Sequence, residues 1–142
     1  MSVRKNERNE GKLEVHAKAE ELVSHTVHIV SNPNVFDPRY DSFHGRIVDT
    51  AVSVGCDLWE ANGIYVKDDP ARYAVRRDLQ DRAIRNINVL LYLMTVAKRL
   101  DKKMRSSKYR HWVSLARTTR ALAVKWRDSD ARRYGHLVRE AG

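Results

Sequence analysis

The chain has a single cysteine, Cys56, among 142 residues, and this excludes an intrachain disulfide. A lone thiol inside an apolar stretch reads as a small buried hydrophobe, and cysteine usage this low fits a reducing, cytoplasmic setting. Long apolar runs are missing as well. No segment approaches the ~18 consecutive apolar residues of a membrane span, and the first dozen residues, MSVRKNERNEGK, lack the apolar stretch of a signal peptide. These absences describe a soluble, unexported protein. Catalytic signatures are absent too: the sequence carries no GxSxG, no lysine in a phosphate-cradling glycine loop and no HExxH, so no enzyme activity is expected. His25 and His28, three apart with Glu21 one turn before His25, have a spacing that suits a metal on one helix face. An exposed histidine pair is ordinary on an amphipathic helix, and no Glu-x-x-His partner stands on another segment, so neither metal nor other cofactor is expected.

The chain is rich in positive charge, and that charge is unevenly placed. Its net charge is +9, yet residues 1–98 hold 14 basic and 14 acidic side chains, whereas residues 99–142 hold 13 and 4. The whole excess sits in the last third. A one-sided field of this kind concentrates polyanions, which points to nucleic acid as a partner.

Strict apolar alternation, the mark of a half-buried strand, never persists; apolar residues instead recur at steps of three and four through four segments. The fold class is therefore all-α, with one domain over 13–133 between a polar, flexible extension (1–12) and a flexible tail (134–142) in which Leu137 and Val138 are free to dock on a partner. The first helix, roughly Leu13 to Ser31, aligns Val15, Ala19, Leu22, Val23, Thr26, Ile29 and Val30, and Pro33 ends it. The second, from about Ser42 to Tyr65 with Asp41 or Ser42 as cap, turns Ile47, Ala51, Val54, Leu58, Ala61 and Tyr65 inward. Gly55 inside it signals close approach by a neighbouring helix, since glycine there costs up to ~1 kcal/mol against alanine.

Asp69 and Pro70 start a third helix that runs to about Lys103 along Val75, Leu79, Ala83, Ile87, Leu90, Met94 and Ala97. Ser106 or Ser107 caps a fourth helix ending near Asp130, where Asp128 and Asp130 read as surface charges of a fraying end. Connections this short join antiparallel neighbours, so the expected architecture is an up-down-up-down four-helix bundle.

The fourth helix is two-faced. On a 100° wheel Trp112, Ala116, Thr119, Ala123 and Trp126 fall within about 80°, and Arg110, Arg117, Arg120 and Arg127 within about 100° on the other side. Planar guanidinium groups engage two phosphate oxygens at once, and a row of them follows a backbone without reading its sequence. Lys102, Lys103, Arg105 and Lys108 extend the patch before the helix, and Arg132 and Arg133 extend it beyond. Trp112 and Trp126 belong to the core side, which leaves Tyr109 and Tyr134 as the aromatics available for stacking on bases. Val113 and Val124 lie near the basic side and make it partly apolar, as a contact with another subunit or protein requires.

Two stretches, RYDSFHGRIVDTAVSVGCDLWEANGIY (39–65) and SSKYRHWVSLARTTRALAVKWRDSDARR (106–133), resemble the accessory variability determinant proteins of diversity-generating retroelements. The likeness spans about residues 13–133; the third helix matches by length and pattern, and Phe43 and His44 depart from the family's small polar residue and Leu. It implies a basic homopentameric barrel of four-helix bundles that binds the element's reverse transcriptase and template RNA, supports mutagenic retrohoming and is not itself an enzyme. A structural oligomer like the bundle proteins encoded in ribosomal-RNA intervening sequences is the alternative.

Overall fold

The structure, a computed structural model, describes the backbone of residues 2–141 and the side chains of residues 14–138. Four α-helices account for it, α1 (Ser2–Val30), α2 (Asp41–Asn62), α3 (Pro70–Leu100) and α4 (Ser106–Ala141), with one 3-10 turn at Pro38–Tyr40 and no strand among the described residues. The helices form a bundle in which α1 lies against α2 and α4, and α3 against α2 and α4. No described helix is long and apolar enough to cross a membrane.

Local chemistry sets most boundaries. Asp69 accepts from the Ala71 amide at 2.9 Å and Pro70 opens α3, as the sequence predicts, because neither group then leaves an orphan donor. The start of α2 differs from expectation: neither Asp41 nor Ser42 caps it, and Asp37 caps the preceding 3-10 turn through the Arg39 amide instead. α3 stops at Leu100 rather than Lys103 because the Asp101 side chain turns inward to other partners.

The core joins Val15, Ala19, Leu22 and Ile29 of α1 to Ile47, Ala51, Val54, Leu58 and Ala61 of α2, to Leu79, Ala83, Ile87, Leu90, Met94 and Ala97 of α3, and to Trp112, Ala116, Ala123 and Trp126 of α4. Gly55 marks the expected crossing, since a Cβ built there would come within 3.0 Å of Val23 Cγ2. Gly45 meets nothing within 4 Å. Gly45→Ala should therefore add about 0.5–1 kcal/mol of stability through helix propensity alone, read as a higher midpoint in urea; a lower midpoint would show an unseen contact at that site.

Several inward assignments are corrected. Cys56 is exposed, because it sits between Val54 and Leu58 on the outer side of α2. Tyr65 is 71% exposed, since α2 ends at Asn62 and the ring lies in the following loop. Val75 is 54% exposed, and Tyr73 and Arg76 turn in instead. The fourth helix does not end near Asp130. It continues through the segment read as a flexible tail, and Leu137 packs with Val66 and Tyr73, flanked by Tyr134. At the other end α1 begins at Ser2, where the sequence placed an extension; the side chains of 1–13 and 139–142 lie outside the described residues.

Candidate nucleic-acid interface

The core face of α4 is as the wheel places it, with Trp112, Ala116, Thr119, Ala123 and Trp126 all buried. Trp112 Nε1 donates to Thr26 Oγ1 at 2.9 Å, and that hydroxyl donates to the Leu22 carbonyl at 2.7 Å. This chain of bonds satisfies the indole polar group in the core and fixes the rotation of α4 against α1.

The arginine arc divides in two. Arg110, Arg117 and Arg132 are exposed and make no ion pair among the described residues. Lys125, which the sequence reading omitted, is exposed beside them; its spacing of eight from Arg117 and seven from Arg132 was the available signal. Arg120 and Arg127, by contrast, turn onto α3. Arg120 donates to Asn88 Oδ1 at 2.7 Å, and Arg127 reaches Asp81 Oδ1 at 3.1 Å and Asp128 Oδ1 at 3.5 Å. Both lie at the edge of the arc nearest the core, where a helical residue meets the adjacent helix before it meets solvent. Arg133 also has an internal partner, bonding Tyr134 Oη at 3.3 Å with its guanidinium 5.3 Å from the ring centre.

Lys102, Lys103, Arg105 and Lys108 are exposed around the turn between α3 and α4. A buried knot holds that turn. His44 Nε2 lies 2.9 Å from Asp101 Oδ2, and the Asp37 amide donates to Asp101 Oδ1 at 2.8 Å. Asp101 thus ties the α1–α2 loop to the base of the lysine pair that follows it. Sequence reading missed this because its members stand 57 and 64 positions apart and no local pattern links them.

Asp130 is the largest correction at this surface. It is 0% exposed, not a fraying-end charge, and it accepts from Arg76 Nε at 2.7 Å, Arg76 Nη2 at 3.0 Å and Gln80 Nε2 at 2.8 Å. Asp128 does remain at the surface. The two aspartates therefore occupy opposite environments and form no dyad.

His25 pairs with neither His28 nor Glu21 in a metal geometry: among the described residues no group of three or more His, Cys, Asp or Glu is arranged to hold a metal. Glu21 is bound to Lys18 at 3.1 Å, and the His25 ring stands edge-on to His111 of α4 at 5.0 Å between centres. Burial holds the His25 pKa below its ordinary value near 6.5, and His111, His28 and Lys108 push it the same way against Glu21. The folded state thus takes up this proton less readily than the unfolded chain, so the linked stability is present above pH ~6.5 and is lost as pH falls through the lowered folded value. His25→Asn should remove that part of the acid sensitivity, read as a smaller drop in urea midpoint between pH 7.5 and pH 5.5 than in the parent.

Compared with known proteins, the chain matches no family, no curated protein and no solved structure.

Proposed function

We propose that the chain is a non-catalytic accessory protein of a diversity-generating retroelement, an antiparallel up-down-up-down four-helix bundle whose outer α4 surface grips template RNA and the reverse transcriptase during mutagenic retrohoming in the cytoplasm. The observation that carries the reading is the row of exposed cations Arg110, Arg117, Lys125 and Arg132 on the outside of α4, which make no ion pair among the described residues, in the third of the chain that holds all the excess charge. Guanidinium and ammonium groups without internal partners keep their donors available for phosphate. The topology is supported by partner order. Asn88 meets Arg120 and Asp81 meets Arg127, an order that supports opposite senses for α3 and α4, and Thr26 with Trp112 and His16 with Trp126 support the same for α1 and α4.

The test is titration of the full-length protein with labelled RNA at two salt concentrations. Four phosphate contacts to a single strand give a slope of log K against log salt of about −3, so affinity should drop roughly 50-fold between 50 and 200 mM salt; an affinity that is flat or absent overturns the reading.

The homopentamer belongs to the same proposal, and the structure offers a surface for self-association. Trp59, 74% exposed, shares the outer side of α2 with Val52 and Cys56, an apolar strip of the kind subunits cover. That strip also favours a second reading, a purely structural oligomer like those encoded in ribosomal-RNA intervening sequences. Genome context separates the two: a reverse transcriptase gene with near-identical repeats beside this one supports the first, and an rRNA locus supports the second.

A further inference from the structure

The sequence reading left Tyr109 and Tyr134 as aromatics for base stacking, and neither is free to act. Tyr109 is half-buried against the core, and Tyr134 packs on Tyr73 with ring centres 5.6 Å apart while Arg133 covers it. Tyr73 is buried, Tyr40 is engaged by Arg39 and His44, and Tyr65 lies beneath Lys67. Tyr92 differs from all of these. It is 66% exposed, and its hydroxyl and ring have no hydrogen bond, ring contact or cation above them among the described residues.

Its position is set by helical geometry. Arg85, Tyr92 and Arg99 are seven residues apart in turn, so they form one line along α3 with steps of about 10.5 Å, and both arginines are exposed. The Asn88–Arg120 bond fixes where that line meets α4. Four residues beyond Asn88 lies Tyr92, and three before Arg120 lies Arg117; on helices of opposite sense these two fall at the same level. Val89 and half-buried Val96, one turn to either side of Tyr92 on α3, make the surroundings of the ring apolar. The result is an open aromatic face with cations before, after and beside it.

We infer that Tyr92, between Arg85 and Arg99 and level with Arg117, is a stacking platform for an unpaired base, so that the basic face takes single-stranded RNA in preference to duplex. This rests on the RNA-binding reading above and specifies its ligand. Phosphate contacts alone give a single strand no advantage over a duplex, whose phosphates are the denser array, whereas an aromatic face is reached only by a base released from its own stack. Every base offers such a face, so the site needs no sequence preference.

The experiment uses the full-length protein with an end-labelled unstructured oligoribonucleotide and a duplex of equal length, followed by fluorescence anisotropy. Tyr92→Ala should weaken single-strand binding roughly 5- to 100-fold and leave duplex binding unchanged, while Tyr92→Phe keeps both. Arg117→Glu should weaken both ligands. Should Tyr92→Ala bind the single strand as tightly as the parent while Arg117→Glu binds it weakly, the stacking inference fails and the RNA-binding reading stands. Should Arg117→Glu match the parent, or the parent bind neither ligand, the reading fails and takes the inference with it. A lower molar mass for Tyr92→Ala in light scattering would instead assign the ring to a subunit contact and overturn the inference.

Discussion

Asp130→Ala should lower the unfolding free energy by about 3–5 kcal/mol, a large part of the ~5–15 kcal/mol that holds a domain of this size together. The cause is the group left behind. Arg76 is almost wholly buried, with its guanidinium 5.0 Å from the centre of Trp126, and among the described residues it bonds, besides Asp130, only the Ile64 carbonyl at 3.2 Å. Without the carboxylate its buried charge has no counter-ion among the described residues. Gln80 Nε2 loses its acceptor in the same change, and Gln80 Oε1 already has no hydrogen-bond partner among the described residues. Asp130→Asn keeps the shape but not the charge and should fall between alanine and the parent. Replacing the ion pair as a whole with Arg76→Met and Asp130→Leu should recover most of the loss, because no charge is then left unpaired. Asp128→Ala, at an exposed site, should stay within about 0.5 kcal/mol of the parent. Urea denaturation followed by circular dichroism measures all four, and an unchanged midpoint for Asp130→Ala would show that Arg76 reaches water.

Reversing the outer cations should have the largest effect on binding. A variant with Arg110→Glu, Arg117→Glu, Lys125→Glu and Arg132→Glu should lose more than ~100-fold in RNA affinity at moderate salt, and its salt slope should shrink by about 3. The loss has two parts, the phosphate contacts removed and the repulsion introduced. All four side chains are solvent-facing and make no ion pair among the described residues, so helical content should match the parent. The pair Arg120→Glu and Arg127→Glu is the informative contrast. These residues hold Asn88 and Asp81, and Arg127→Glu sets like charges together across the α3–α4 contact. Their reversal should lower the urea midpoint, and it should weaken RNA binding less than the outer set does. Equal affinity loss from both sets would mean that Arg120 and Arg127 leave their internal partners to reach RNA.

Whatever repeats along the chain could be read from the sequence; what joins distant positions could not. The core faces of the four helices follow from spacing alone, as do the Asp69–Pro70 start of α3 and the Gly55 crossing. Periodicity sorts residues by polarity, however, and so it put Val75 inside and passed over Arg76. The carboxylate that permits Arg76 to be buried stands 54 residues later. The same blindness hid His44 and Asp101. It also merged Arg117 with Arg120, which stand only about 60° apart on the helix yet meet different surroundings: one meets solvent and the other an asparagine of α3. Tyr92 was passed over because it stands within a run of apolar residues, Val89 to Met94, whose average suggests burial although its own phase points outward.

The knot at Asp101 has a consequence for how the molecule opens. The Asp37 amide belongs to a loop, where backbone protons ordinarily trade with solvent through small local excursions. Here its hydrogen bond ends on a carboxylate that is 1% exposed and shared with His44. That proton can leave only when the carboxylate itself is released, which parts the start of α2 from the end of α3. In hydrogen exchange one loop amide should therefore be as slow as the helix interiors, and its exchange rate should follow the unfolding of the whole bundle.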